Sequence, residues 1–189
     1  MVIPSWTMSG IVPPIRPGMS GASPDRSPYK SALTDFIDQF AINQARLNIL
    51  AGLIKYRQAL HEIGLTEGFQ WLDGSFLEDV EGAENRTPRD IDVVTFYRRP
   101  KSLNESELAV KLTHLLNTEH SKNRYHVDGY GFELGSAVEP YKIRMLTYWY
   151  SMWSHRRDGL WKGFVQIDLA PIEDDDAEII IVDKLAKGF

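Results

Sequence analysis

The sequence predicts an α/β fold, a single domain carrying a helical elaboration near its N-terminus. Three observations predict it. A long stretch from Leu33 to Leu60 repeats its apolar residues at helical spacing. Several short runs after residue 65 alternate or are rich in β-branched and aromatic residues, as strands are. The chain has 189 residues, of which 43% are hydrophobic and 25% charged, enough for one real core and far from a disordered composition.

Residues 1–28 hold six of the ten prolines and read as an arm without regular structure. Trp6, Ile11, Val12 and Ile15 are its apolar anchors. Residues 29–189 form the domain proper, with a core from about 65 to 170. Ser27-Pro28 predicts a helix start, an N-cap followed by proline in the first turn. The helix is expected from about Tyr29 to Ile63, with a break near Asn43 and an end at Gly64. Phe69–Leu72 reads as a strand that runs into Asp73-Gly74-Ser75, and Asp79–Arg89 as a polar loop. Ile91–Tyr97 is a second strand. Asn104–Asn117 is a helix opened by a capping box, Asn104 with Glu107. Tyr125–Leu134 is a strand or a hairpin, Pro140–His155 an aromatic-rich helix and Gly163–Ala170 a strand. Glu173–Asp176 is a loop or helix start, and Ala177–Lys187 a last helix stopped by Gly188, with a strand over Ile179–Val182 as the equal alternative.

Composition excludes several chemistries. The absence of cysteine removes disulfides, thiol nucleophiles and cysteine-ligated metal centres. It fits a cytoplasmic protein. No apolar run reaches the ~20 residues of a membrane span, so no membrane partner is expected. No P-loop or dinucleotide-binding glycine motif is present, and the five histidines show no metal-ligand spacing. The net charge of −5 argues against a broad grip on nucleic acid. It hides an asymmetry: residues 139–163 carry +3 and residues 164–189 carry −5. A basic segment in an acidic chain suits a compact anionic ligand.

The candidate chemistry lies in Gly74-Ser75, then fourteen residues, then Asp90-Ile91-Asp92-Val93. In a strand, Asp90 and Asp92 project to one face while Ile91 and Val93 enter the core. Two carboxylates so close resist joint ionisation unless a cation neutralises them, and hard oxygen ligands suit Mg²⁺ or Mn²⁺. Asp168, alone in the apolar strand Val165–Leu169, is the candidate third carboxylate. Gly74 lets backbone N–H groups approach a phosphate, and Ser75 adds a hydroxyl. A helix beginning at Ser75 would add its dipole. Arg156, Arg157 and Lys162 are the candidate phosphate ligands, with Arg89 and Arg86 beside the Asp pair as further ones. Structural salt bridges with nearby acids are the simpler role for two or more of these five. Tyr148, Trp149, Tyr150 and Trp153 are read first as core packing, with base stacking as the alternative.

Trp71-Leu72-Asp73-Gly74-Ser75 followed by Asp90-Ile91-Asp92-Val93 resembles the signature of the polymerase-beta-type nucleotidyltransferase superfamily. Gly10-Ile11-Val12-Pro13-Pro14, Arg26-Ser27-Pro28-Tyr29, His155-Arg156-Arg157 and Trp161-Lys162-Gly163 resemble a stand-alone bacterial subfamily of nucleotidyltransferase-like proteins. The resemblance implies a nucleotidyltransferase-type mixed sheet with helices packed mainly on one face. It implies two Mg²⁺ ions at Asp90, Asp92 and Asp168, with Asp168 helping to deprotonate an acceptor hydroxyl. That hydroxyl attacks a nucleoside triphosphate and pyrophosphate leaves. The acceptor stays open: a tRNA end, a protein hydroxyl, a small molecule or a nucleotide. A toxin–antitoxin or defence setting with a protein partner is also implied. Two other readings remain, a catalytically silent binding module of the same fold and a metal-dependent glycosyltransferase.

Overall fold

In the computed structural model, residues 2–135, 137 and 139–188 are described. Their centre is an open, mixed, five-stranded sheet of order β1-β5-β2-β3-β4. The central strand β2 (Gly68–Asp73) runs antiparallel to both its neighbours, β3 (Ile91–Arg98) and β5 (Val165–Asp168). At one edge β4 (Val127–Leu134) lies parallel to β3. At the other, the two-residue β1 (Tyr29–Lys30) lies parallel to β5. Among the described residues, seven α-helices accompany the sheet: α1 (Leu33–Phe40), α2 (Gln44–Glu62), α3 (Val80–Glu84), α4 (Glu105–Leu112), α5 (Thr118–Tyr125), α6 (Pro140–Trp153) and α7 (Asp174–Lys187).

The alternation of side chains decides what each sheet face does. Leu72, Ile91, Val93, Val127, Val165 and Ile167 are all fully or almost fully buried and share one face. The helix α2 packs against this face. It comes so close to α5 that a side-chain carbon at Gly52 would stand 2.0 Å from the Tyr125 carbonyl oxygen. The other face is aromatic. Trp71, Phe96 and Phe164 form edge-on contacts there, and the Trp149 ring of α6 lies tilted against Tyr130, 4.4 Å between centroids. Trp149 and Trp153 are buried against this face, whereas Tyr148 and Tyr150 stay exposed on α6. The expected aromatic cluster is therefore half core and half surface.

Two buried arginines fix the framework. Arg57 of α2 donates to the Gln70 side chain at 2.8 Å, the Asp168 carbonyl at 2.9 Å and the Asp174 carboxylate at 2.7 Å. It ties α2 to β2, β5 and α7 through a pair of side chains that are 1% and 6% exposed. Arg46, at 0% exposure, donates to the Phe76 and Glu78 carbonyls and to the Glu81 carboxylate. It thereby pins the segment that follows β2. The proline-rich arm braces the same region. Trp6 Nε1 donates to the Leu77 carbonyl, Asp79 N to the Gly10 carbonyl, and Gly163 N to the Val12 carbonyl.

The structure corrects several boundaries. Tyr29 opens a strand, since its N–H bonds to the Phe164 carbonyl; the helix starts at Leu33 and is split at Ala41–Asn43. The polar loop holds the short helix α3, capped by the Asp79 carboxylate. The Asn104 capping box is present, but α4 ends at Leu112 and Asn117 caps a separate helix, α5. Tyr125 ends α5 and His126 caps it, so the expected strand or hairpin is the single strand β4 from Val127; the last segment is the helix α7, which starts at Asp174.

Replacing Arg57 by alanine would leave Asp174 charged and buried without its partner. Removing one member of a buried pair costs about 3–5 kcal/mol, so urea unfolding of Arg57→Ala should show a loss of that order. An unchanged midpoint would show that Arg57 does not hold α2 to the sheet and α7.

Candidate functional site

Strand register builds the site. Asp73 on β2 lies opposite Asp92 on β3, and Asp92 lies opposite Asp128 on β4. Opposed residues share a face, so three carboxylates stand in a row across three adjacent strands, at a spacing of roughly 5 Å per strand. Asp90, two residues before Asp92, joins them on the same face. The row sits where β2 ends and where β3 and β4 begin, beyond the aromatic part of the face.

Such a row is electrostatically costly, and its surroundings record the cost. Burial pushes the Asp92 carboxyl up from 3.8 to about 6, helped by the negative charges of Asp128 and Asp90. Burial pushes Asp73 up to about 7, against the pull of Lys162 and with a further push from Asp92. Two lysines supply counter-charge. Lys122 Nζ is 2.6 Å from Asp128 Oδ2 and 3.2 Å from Asp90 Oδ2. Burial works against that ammonium, but its hydrogen bonds to Asp128 and Asp90 outweigh it and raise its pKa. The buried Lys162 lies 2.6 Å from Glu78 Oε1 and 3.1 Å from Asp73 Oδ1, and the two acids likewise overcome the penalty of its burial. The neutralisation is incomplete. Asp128 Oδ1 is buried without a hydrogen-bond partner, and Lys162 approaches Asp73 Oδ1 off the direction a hydrogen bond needs. Tyr130, next along the face from Asp128, is held as the neutral phenol by burial and by that carboxylate.

The row lines a cleft of about 970 Å³. That volume suits a nucleotide-sized ligand. Of the residues expected from sequence, Gly74, Ser75, Arg89, Asp90, Asp92, Arg156, Arg157 and Lys162 all line it. Gly74 has φ +87°, and a side-chain carbon there would stand 2.9 Å from Asp92 Oδ2. Both the turn and the closeness to the row require glycine. Ser75 starts only a 3₁₀ turn, Ser75–Leu77, so the expected helix dipole is not there. Three of the five basic candidates are committed to ion pairs: Arg156 with Asp158, Arg86 with Glu84, and Lys162 with Asp73 and Glu78. Arg89 and Arg157 are exposed and make no ion pair among the described residues.

Asp168 is not brought to this site. It lies opposite Phe69, four residues along β2 from Asp73, which is about 13 Å at strand rise. Its side chain is turned to its own strand end, where Oδ1 accepts from Ala170 N at 2.8 Å. The carboxylate beside Asp92 is Asp128. The sequence does carry a signal for it in Val127-Asp128-Gly129, a lone acid starting an apolar strand, but the parallel pairing of β4 with β3 is invisible there. Asp73 lies inside the motif without an expected role, and Lys122 and Glu78 carry no signal. Among the described residues no three or more His, Asp or Glu side chains converge as a ready-made cation site.

Residues 4–168 match a family described as a family of unknown function, DUF6932, and the chain belongs to it. No curated protein and no solved structure matches.

The raised carboxyl values make stability pH-dependent in a stated direction. Folded Asp92 and Asp73, at about 6 and about 7, bind protons more tightly than unfolded aspartate does near 4. The metal-free protein should therefore lose stability as pH rises from about 4 to about 7, then level off. Asp92→Asn should remove part of that slope and gain on the order of 1–3 kcal/mol at pH 8. Thermal unfolding in chelator across pH checks it; a variant less stable than the parent at pH 8 would contradict the electrostatic account.

Proposed function

We propose that this member of the DUF6932 family is a divalent-cation-dependent nucleotidyltransferase. It moves a nucleoside monophosphate from a nucleoside triphosphate to an acceptor hydroxyl and releases pyrophosphate. The observation that carries the reading is the carboxylate row Asp90, Asp92 and Asp128 beside the Gly74-Ser75 turn, in a cleft large enough for a nucleotide. The family's description assigns no activity, so the reading rests on these residues and on the resemblance of their motif.

The residues fit a hard divalent cation. Asp128 Oδ1 has no partner, Asp92 is crowded by two like charges, and all the donors are carboxylate oxygens. Asp90, Asp92 and Asp128 would hold Mg²⁺ or Mn²⁺. Bound there, the ion neutralises the row and polarises a phosphoryl oxygen. The protein's own groups do the rest. The backbone at Gly74 and the Ser75 hydroxyl present donors to the phosphates. Arg89 and Arg157, unpaired at the cleft, oppose the charge that develops on the leaving pyrophosphate. The acceptor oxygen forms a bond to the α-phosphorus as the bond to the β-phosphate oxygen breaks. The hydroxyl proton passes to the carboxylate of Asp128. Asp128 takes the place expected for Asp168.

A second reading, a silent binding module of the same fold, is favoured by Lys122 and Lys162, which already neutralise part of the row. Incubation with each α-labelled triphosphate, Mg²⁺ or Mn²⁺ and cell extract separates the two. Label should enter one acceptor class. Asp92→Asn and Asp128→Asn should each lower transfer by about 10²–10³-fold, the usual cost of losing a charge-stabilising group, while Asp168→Asn stays within about threefold. Full activity of Asp92→Asn defeats the enzyme reading. Loss of activity in Asp168→Asn alone restores Asp168 as the third acid.

A further inference from the structure

The two lysines of the site are not equivalent. Lys162 is almost fully buried and boxed in by Asp73, Glu78 and the Gly74 carbonyl at 3.4 Å. It is a fixed part of the structure. The Lys122 side chain is 40% exposed and reaches the row from α5, on a flexible stem, with contacts to two carboxylates only. Both contacts leave Asp128 Oδ1 buried without a hydrogen-bond partner, and neither is to Asp92, which stands between Asp73 and Asp128 in the row. A single ammonium thus sits where Asp90, Asp92 and Asp128 together present three negative charges. The lysine end of both pairs is open to solvent, where water and salt compete with the carboxylates for it. A dication carries twice the charge and takes several carboxylate oxygens at once.

We propose that Lys122 is an internal cation that occupies the exchangeable metal position of the row and is displaced by the divalent ion. The inference rests on the proposed metal-dependent function and deepens it. Lys122 keeps the carboxylates together when no ion is bound, and it sets the ion concentration at which the site loads. Because Lys162 holds Asp73 and Glu78 permanently, this makes one exchangeable ion position in the row, where the motif's resemblance implied two.

Mn²⁺ binding to the full chain, without nucleotide, tests the proposal by calorimetry. Lys122→Met should bind Mn²⁺ at least about tenfold more tightly than the parent, and Lys122→Arg, which restores the charge, should stay within about threefold of it. Circular dichroism checks that the variants fold. The parent gives a second readout that needs no variant: saturating Mn²⁺ should raise the rate of Lys122 acylation by an amine-reactive ester several-fold relative to the surface residue Lys101, read by mass spectrometry. If parent and Lys122→Met bind Mn²⁺ equally and Lys122 reactivity does not change, the proposal is wrong while the enzyme reading stands. If Mn²⁺ affinity is unchanged but ATP affinity falls in Lys122→Met, Lys122 is a phosphate ligand and the proposal is again wrong. If only Lys122→Met binds Mn²⁺, Lys122 holds the position without yielding it: displacement is wrong, and metal dependence of the parent falls with it. If neither binds, both fall.

Discussion

Like-charge crowding in the row Asp73, Asp92 and Asp128 is the constraint on which the rest of the site depends. Three adjacent strands deliver these side chains to one face with no choice of spacing, because strand separation is set by the backbone. The neighbourhood is organised around tolerating them. Lys162 neutralises one end from beneath and Lys122 the other from the rim. Gly74 leaves room for the Asp92 carboxylate, and Arg46 holds the following turn by its carbonyls. The proline-rich arm bonds to the segments on both sides of the cleft, Leu77–Asp79 and Gly163. A site that costs this much to assemble needs rigid supports, and the contacts of Lys162, Arg46 and the arm each join segments far apart in sequence.

The charge asymmetry of the chain gains a location. Much of the basic segment 139–163 lies at the cleft through Arg156, Arg157 and Lys162; Arg156 and Lys162 are held in ion pairs, and Arg157 makes none among the described residues. The acidic C-terminal segment does a different job. Asp174 closes the pair with Arg57, and α7 packs against α1 and α2, away from the row. The two halves of the asymmetry are thus separate devices, one facing a cleft and one holding a framework.

Periodicity alone makes the α/β character, the strands β2 and β3 and the Asp90–Asp92 pair legible. The glycine turn is legible as well, since its function depends on local backbone freedom. Asp168 shows where such reading stops. Its face follows correctly from alternation, beside Gln166 and Phe164, but face parity says nothing about position along the strand, and Asp168 lies at the wrong end of the sheet. Asp128 is hidden by the converse problem, because β4 reaches β3 by a parallel crossover that no local pattern encodes. The break after Leu112 is equally hidden, because Asn117 caps α5 within a stretch that keeps helical composition. Arg46 and Arg57 look like surface residues on a helix, and only tertiary packing reveals them as buried anchors.

The central claim is that the carboxylate row is a cation site. The most direct measurement is an anomalous difference map from crystals of the protein soaked in Mn²⁺. The account predicts a peak bounded by Asp90, Asp92 and Asp128, with Lys122 turned out of the row and Lys162 unmoved. A map with no peak there at saturating Mn²⁺, and Lys122 still bridging Asp90 and Asp128, would contradict it.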